Sequence, residues 1–273
     1  MATIYANTYT YKTAFAALKS GDTLILAAGN YGKLNMANKT FADTVTVKGG
    51  SFTGVALSNV SNLTLDGSII KLTPTLTSTQ NTQAVRVVQS DHITITNAKI
   101  SGGLAINGVP QTATALDSTG NVLGLPTGKG VNFENSQDCS INNSDITLFH
   151  KGVTFSDSTN IDISFNTIHD LRTSPITGSV LNGLNIEGNH TWTSHPWNFG
   201  GAGDHGDRIH ILTDHESAHR IVIKDNLLEQ GAGEAMLGIY LDDNGQTLGF
   251  HDVNITGNTV IDGTGQGILL ENV

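Results

Sequence analysis

What most constrains this chain is a strand ending in asparagine and followed by a branched apolar residue, which returns at steps of 23. Ile141–Ile146 is followed by Ile161–Ile168 and then by Leu184–Asn189, so that Asn143, Asn166 and Asn189 stand 23 residues apart. The pattern resumes at Ile221–Leu227 and Val253–Val260, with wider steps of 37 and 32 to Asn226 and Asn258, and Asn97 lies 46 before Asn143. A period of this length marks stacked repeats, in which no unit buries its apolar face alone and the stack closes a continuous core.

A second strand keeps the period. Gly130-Val131-Asn132-Phe133, Gly152-Val153-Thr154-Phe155, Arg208-Ile209-His210-Ile211, Gly238-Ile239-Tyr240-Leu241 and Gly267-Ile268-Leu269-Leu270 share one alternation, with Val55–Leu57 and Val85–Val87 as earlier members. Alternation sends the first and third apolar side chains into the coil and the middle residue towards water. The reading is an all-β fold, a right-handed parallel β-helix, whose backbone groups pair with the rungs about 4.8 Å above and below. Asparagine suits its turns, because it tolerates left-handed backbone angles and bonds along a ladder of its own kind. With 14% charged and 6% aromatic residues, the composition also favours short strands and turns over helices. The competing arrangement, a β-sandwich, does not hold so regular a turn period.

Near the amino terminus, Tyr11, Ala14, Phe15 and Leu18 fall on one helical face and predict a helix over about 11–20 that caps the coil. The chain stops at Gly267–Val273, part-way through a coil, so the carboxyl end is expected to be uncapped and covered by a further domain or a second subunit. Residues 1–273 thus read as one β-helix domain.

The segment Phe15-Ala16-Ala17-Leu18-Lys19-Ser20-Gly21-Asp22-Thr23-Leu24-Ile25-Leu26-Ala27-Ala28-Gly29-Asn30-Tyr31 resembles the opening of β-helical polysaccharide lyases acting on alginate and chondroitin. The coils resemble the wider pectate-lyase-like superfamily. That resemblance implies the fold for nearly the whole chain, but the same fold also serves epimerases, glycoside hydrolases, tailspikes and adhesins.

Charge and composition exclude several classes of partner. A formal net charge of −10 speaks against nucleic acid and anionic membrane, and no run of about 18 apolar residues exists to cross a bilayer. The first residues lack the basic-then-apolar pattern of a secretory signal, so the expected extracellular or surface location is reached by another route or with a removed leader. The single cysteine, Cys139, excludes an internal disulfide and reads as a small packed residue.

Registering the coils on the second strand places Arg86, Asn132, Thr154, Thr177, His210, Tyr240 and Leu269 in one outward row, one rung apart. The turns before these strands add His150 and Lys151, His169 and Arg172, then Asp204, His205 and Asp207, expected on the same side. Abstraction of the C5 proton of a uronic acid needs a cation for the carboxylate and enolate, a base, and an acid. Arg208 with Lys151 or Arg172 supplies the cation, His205 or His210 the base, and Tyr240 the acid. The same groups permit lyase cleavage or epimerisation. Trp197, in the long interruption between Asn189 and Asn226, offers an aromatic face to a sugar, as does Trp192. Mannuronan C5-epimerases carry an Asp-Pro-His-Glu turn that Asp204-His205-Gly206-Asp207 resembles, without the proline and with the histidine displaced. Asp207, Asp242 and Asp243 form an alternative acid and base set for hydrolysis, although Asp242-Asp243-Asn244-Gly245 also reads as a turn. A non-catalytic glycan-binding or tailspike module is the reading from another class. No cofactor is required; Asp204, His205, Asp207, Asp214 and His215 are suitable ligands for calcium, but no zinc spacing and no calcium nonapeptide occurs.

Overall fold

A computed structural model describes residues 1–73, 81–102, 113–116, 122–124, 126–196, 198–199, 202–204, 206–243, 245 and 247–271. The described residues form 27 strands and one short helix. Apart from two small antiparallel hairpins, every pairing is parallel, and each strand pairs with its counterpart one coil away. This is a right-handed parallel β-helix.

Each coil presents three faces. The first, called here the groove face, carries Gln83–Val88, Lys129–Glu134, Asp207–Leu212, Leu237–Asp242 and Ile268–Leu270, together with the opening residues of Lys33–Lys48, Gly54–Asp66, Lys151–Ser164 and Ile176–Glu187. The second continues those long strands and adds Asp91–Thr96, Gln137–Asn142, Ala218–Lys224 and Phe250–Thr256. The third, the back face, is the eight-stranded stack from Ser51–Phe52 to Thr259–Ile261. Inward residues of all three faces, such as Val131, Phe133, Ile141, Ile146, Ile163 and Ile168, are buried in a single core. Across the described rungs that core is continuous, and in the last one the side chains of Ile268 and Leu270 are 48% and 47% exposed.

The helix spans Tyr11–Ala16, six residues rather than the ten expected, and buries none of them fully. Tyr11, Ala14 and Phe15 are half-buried against the core, and the Tyr11 hydroxyl donates to the Tyr31 carbonyl at 2.8 Å. No helix among the described residues is long and apolar enough to cross a membrane.

The asparagine ladder is present but shifted by one residue from its expected register. Ser144, not Asn143, stands below Asn166, Asn189, Asn226 and Asn258. Each backbone N–H bonds to the side-chain oxygen one coil on: Ser144 to Asn166, Asn166 to Asn189 and Asn226 to Asn258 at 3.0 Å, and Asn189 to Asn226 at 2.9 Å. Their Nδ2 groups donate to the next asparagine and to the carbonyls of Ile141, Ile163 and Ile186 on the second face. The left-handed backbone falls one residue earlier, at Asn143, Phe165, Gly188, Asp225 and Gly257. Two adjacent positions thus divide the labour that the sequence assigns to one: the first turns the chain and the second satisfies the buried corner.

Candidate functional site

The outward row is realised pair by pair. Arg86 stands beside Asn132, then follow Thr154, Thr177, His210, Tyr240 and Leu269 on successive rungs. Asn132, Thr154 and Thr177 are nevertheless buried, so the middle of the row is the floor of a groove rather than an open face. Thr154 Oγ1 donates to Asn132 Oδ1 at 2.6 Å. The two antiparallel hairpins, Ala113–Leu116 with Val122–Gly124 and Asn198–Phe199 with Ala202–Gly203, leave the coil before Lys129–Glu134 and Asp207–Leu212, and the two hairpins touch. A cavity of about 260 Å³ opens over this floor, lined among others by Lys129, Lys151, Thr154, Thr177, Ser179 and Asp214.

At one end of the row the His210 and Tyr240 rings stack, with centroids 4.8 Å apart and planes at 10°. His210 Nδ1 lies 3.4 Å from Asp207 Oδ2, and its Nε2 lies 3.4 Å from Asp242 Oδ2. The Asp242 side chain is the more exposed of the two carboxylates, at 19% against 4% for Asp207. Burial raises the Tyr240 hydroxyl above its ordinary value, and its hydrogen bond to the Glu271 carboxylate adds to this. Tyr240 therefore stays protonated and can donate but not abstract.

Lys129 and Lys151 are register partners on neighbouring rungs. Burial lowers both ammonium groups, most heavily, and the charge of Lys129 lowers Lys151 further. Glu134 acts on Lys129, and Asp204 and Asp207 act on Lys151, but only at range. Glu134 instead pairs with Arg86 at 3.7 Å.

Arg172, Asp204 and His150 form a separate, buried network. Arg172 Nε donates to Asp204 Oδ2 and its Nη2 to Oδ1, both at 2.6 Å, and His150 Nε2 lies 3.5 Å from the same carboxylate. Burial alone would raise Asp204, but the bonds from His150 and Arg172 outweigh it and hold the carboxyl at about 2. His150 is pushed down to about 4, first by burial, against the pull of Asp204. The expected cation Arg172 is thus matched within the protein. Arg208, the other expected cation, is buried too: it is 2% exposed, its Nη1 lies 3.3 Å from Ser194 Oγ, and burial lowers it to about 10. Gly54, Gly130, Gly152 and Gly238 hold this position in other coils, and a Cβ at Gly238 would fall 2.4 Å from the Gly267 carbonyl and 2.7 Å from Val260.

Two further expectations need correcting. His169 does not line the groove: it stands in Thr167–Leu171 on the back face, stacked on Trp192 at 4.4 Å and bonded to Asp145 and Asp170 at 3.0 and 2.7 Å. Asp243 is fully buried and accepts from Thr213 Oγ1, Leu248 N and Gly249 N, so it anchors the turn and is not half of an acid and base pair. His205 and Trp197 lie outside the described residues.

Sequence reading missed Lys129, Glu271 and Asp157. Lys129 was visible in principle, since Lys129-Gly130-Val131-Asn132-Phe133 and Lys151-Gly152-Val153-Thr154-Phe155 repeat the same frame 22 residues apart. Asp157 joins Asp214 and His215 in a group whose ligand atoms all lie within 4.8 Å of one another. Of the expected calcium ligands among the described residues, Asp214 and His215 belong to that group, Asp204 being held by Arg172 and Asp207 lying beside His210.

Comparison with known proteins supports the architecture. The family model of NosD, described as a periplasmic copper-binding protein, matches residues 109–273, more than half of the chain. An alginate lyase from a Paenibacillus strain is similar at 12% identity, covering 99% of this chain and 98% of its own, with a TM-score of 0.53. A family 28 exopolygalacturonase of Yersinia enterocolitica is 9% identical over 98% of this chain and 68% of its own, with a TM-score of 0.58. A surface adhesin of Streptococcus pneumoniae is 13% identical over 93% of this chain and 72% of its own, with a TM-score of 0.54. A comparison with curated protein sequences gave no match.

Proposed function

This chain belongs to the NosD family of β-helical proteins, and from that premise we propose that it acts on an acidic, uronate-containing polysaccharide laid along the groove. The reaction is abstraction of the C5 proton, as a lyase or a C5-epimerase. The observation that carries this reading is the row itself: an acid–base set at His210 and Tyr240 lies two rungs from a pair of half-buried lysines. A cationic stretch of this kind in a chain of net charge −10 suits an anionic substrate through its local field. The alginate lyase and exopolygalacturonase with this fold make a polysaccharide substrate the natural class, and the adhesin agrees with an extracellular or surface location.

Each group takes one role. His210 Nε2 is shielded from solvent, so the C5 proton reaches it by way of the Asp242 carboxylate, and Asp207 on the other nitrogen balances the imidazolium. Tyr240, held protonated, gives its proton to the leaving glycosidic oxygen in a lyase, or to the opposite face of C5 in an epimerase. Arg208, buried at the start of the strand that carries His210, contributes a positive charge to the field that stabilises the enolate.

The family description names copper, and the donors described here do not fit copper(I). The Cys139 thiol is buried and pushed up to about 12 by that burial, and Met36 and Met236 are buried, which leaves Met1 as the accessible sulfur. Asp157, Asp214 and His215 form an oxygen-rich set that suits a hard divalent ion such as calcium. The reaction proposed here needs no metal.

A second reading, hydrolysis, is favoured by the placement of two carboxylates, Asp207 and Asp242, at the two nitrogens of one imidazole. Incubation with alginate, pectate and glycosaminoglycans separates the cases. Unsaturated-uronate absorbance marks a lyase, C5 deuterium exchange without cleavage an epimerase, and new reducing ends without unsaturation a hydrolase. Glycan binding with silence in all three channels would leave a binding module and remove the enzymatic reading.

A further inference from the structure

We infer that Lys129 and Lys151 form an anion clamp, which holds the acidic group of a sugar unit two rungs away from the one that reacts, and so makes the protein selective for a charged unit at that distance. The inference rests on the reading of the groove as a polysaccharide site, and it adds a specificity-determining pair outside the acid–base set.

The physical argument begins with a cost that the described residues offset only at range, through Glu134 on Lys129 and Asp204 and Asp207 on Lys151. Two ammonium groups stand on adjacent rungs, about 4.8 Å apart in the backbone. Both are substantially withdrawn from water, and they repel each other. Among the described residues neither lysine has a carboxylate within 4.0 Å, since Asp204 is held by Arg172 and His150, Asp207 lies beside His210, and Glu134 lies beside Arg86. A folded chain holds like charges in this way only when another requirement maintains them, and an anionic ligand removes both penalties at once. Both lysines open on the same 260 Å³ cavity, whose remaining lining carries the hydroxyl and amide groups of Asn132, Thr154, Ser156, Thr177, Ser179 and Thr213, with one carboxylate, Asp214. Such groups bond to sugar hydroxyls and leave the charge to the lysines.

Register then fixes the distance. From the Lys151 rung the order is Thr177, His210 and Tyr240, and one rung is comparable to the length of one sugar unit. The unit over Thr177 meets only neutral groups in the row. The acidic group read by the clamp therefore belongs to the unit beyond it, and short oligomers that cannot span from His210 to Lys151 forgo the contact.

The test uses uronate oligomers of increasing length, together with their carboxyl-reduced neutral counterparts, titrated calorimetrically against the wild type, Lys129→Gln, Lys151→Gln and the double variant. Removal of either charge is expected to weaken binding of the longer acidic oligomers roughly 10- to 100-fold, with neutral oligomers unaffected. Affinity for acidic oligomers should step upward once the chain is long enough to reach the clamp, and where turnover is seen the loss should fall on KM rather than kcat. Thermal unfolding of each variant controls for misfolding. Equal affinity of wild type and double variant for a long acidic oligomer, or equal affinity of the wild type for acidic and neutral oligomers, would overturn the clamp. Absence of turnover with this charge-dependent binding intact would instead count against the C5 chemistry and leave the clamp standing.

Discussion

Two groups of charges lie close together on the groove side of the coil, and they are built on opposite terms. Arg172 and His150 are buried and Asp204 is half-buried, yet their charge is matched internally by a bidentate arginine–carboxylate pair and a flanking imidazole. Lys129 and Lys151 are half-buried, and among the described residues no carboxylate pairs with either at contact distance. Burial of charge alone therefore does not mark a ligand site. What separates the groups is whether the protein supplies the counter-charge: where it does, the cluster is part of the architecture, and where it does not, the ligand completes it.

The sharpest way to break this comparison is to unbalance the matched group. Asp204→Ala takes from the Arg172 guanidinium, 1% exposed, the carboxylate it grips at two points, and is expected to destabilise the fold by about 3–5 kcal/mol, read as a lowered urea midpoint. Asp204 directly follows Ala202–Gly203 of the second hairpin, so proteolysis in that hairpin should accelerate as well. An unchanged midpoint would mean that the network does not hold the hairpin.

Acid probes the same group without mutation. The folded protein keeps His150 neutral down to about 4, whereas an unfolded chain takes up that proton below the ordinary imidazole value of about 6.5. The unfolded state thus binds more protons in this window, and stability falls as pH drops from about 6.5 to about 4, by about 1.4 kcal/mol for each unit of depression. Asp204, held at about 2, adds a second loss between its ordinary value of about 4 and about 2, because its stabilising charged form is then progressively protonated. Urea midpoints across this range should show both phases, and His150→Gln should remove the upper one and, by taking away one of the two groups that hold Asp204 down, shrink the lower.

A neutral version of the comparison lies in the asparagine ladder. Asn189 is buried and fully engaged, whereas Asn143 is exposed and needed only for its left-handed backbone. Asn189→Ala should cost about 1–3 kcal/mol, by orphaning the backbone N–H of Asn166 and the Ile163 carbonyl, and Asn143→Gly should be neutral within about 0.5 kcal/mol. This pair also shows where sequence reading stops. Stepping by 23 placed Asn143 in the ladder, but the coil from Ser144 to Asn166 is 22 residues long, and one residue exchanges a buried corner for an exposed turn. The outward row was legible because strand alternation and the Gly-Val-x-Phe frame fix which side chains point out of the coil. Alternation does not say which of three faces a residue occupies, and for that reason His169 was assigned to the groove. The pairing of Arg172 with Asp204 was illegible, since it joins residues 32 apart across an inserted hairpin whose path no repeat dictates.

The smallest expected effect bears most directly on the unmatched lysines. If their charges serve only a ligand, their removal should relieve strain in the free protein. Lys129→Met with Lys151→Met keeps most of the aliphatic stem of each side chain and eliminates one repulsion and two desolvation penalties. The free double variant is then expected to be as stable as the wild type or more so, by up to about 1 kcal/mol. Salt sharpens the reading, because screening should raise the wild-type midpoint slightly and leave the variant where it is. A loss of stability comparable to that of Asp204→Ala would place the lysines with the matched network, and the distinction between the two groups would disappear.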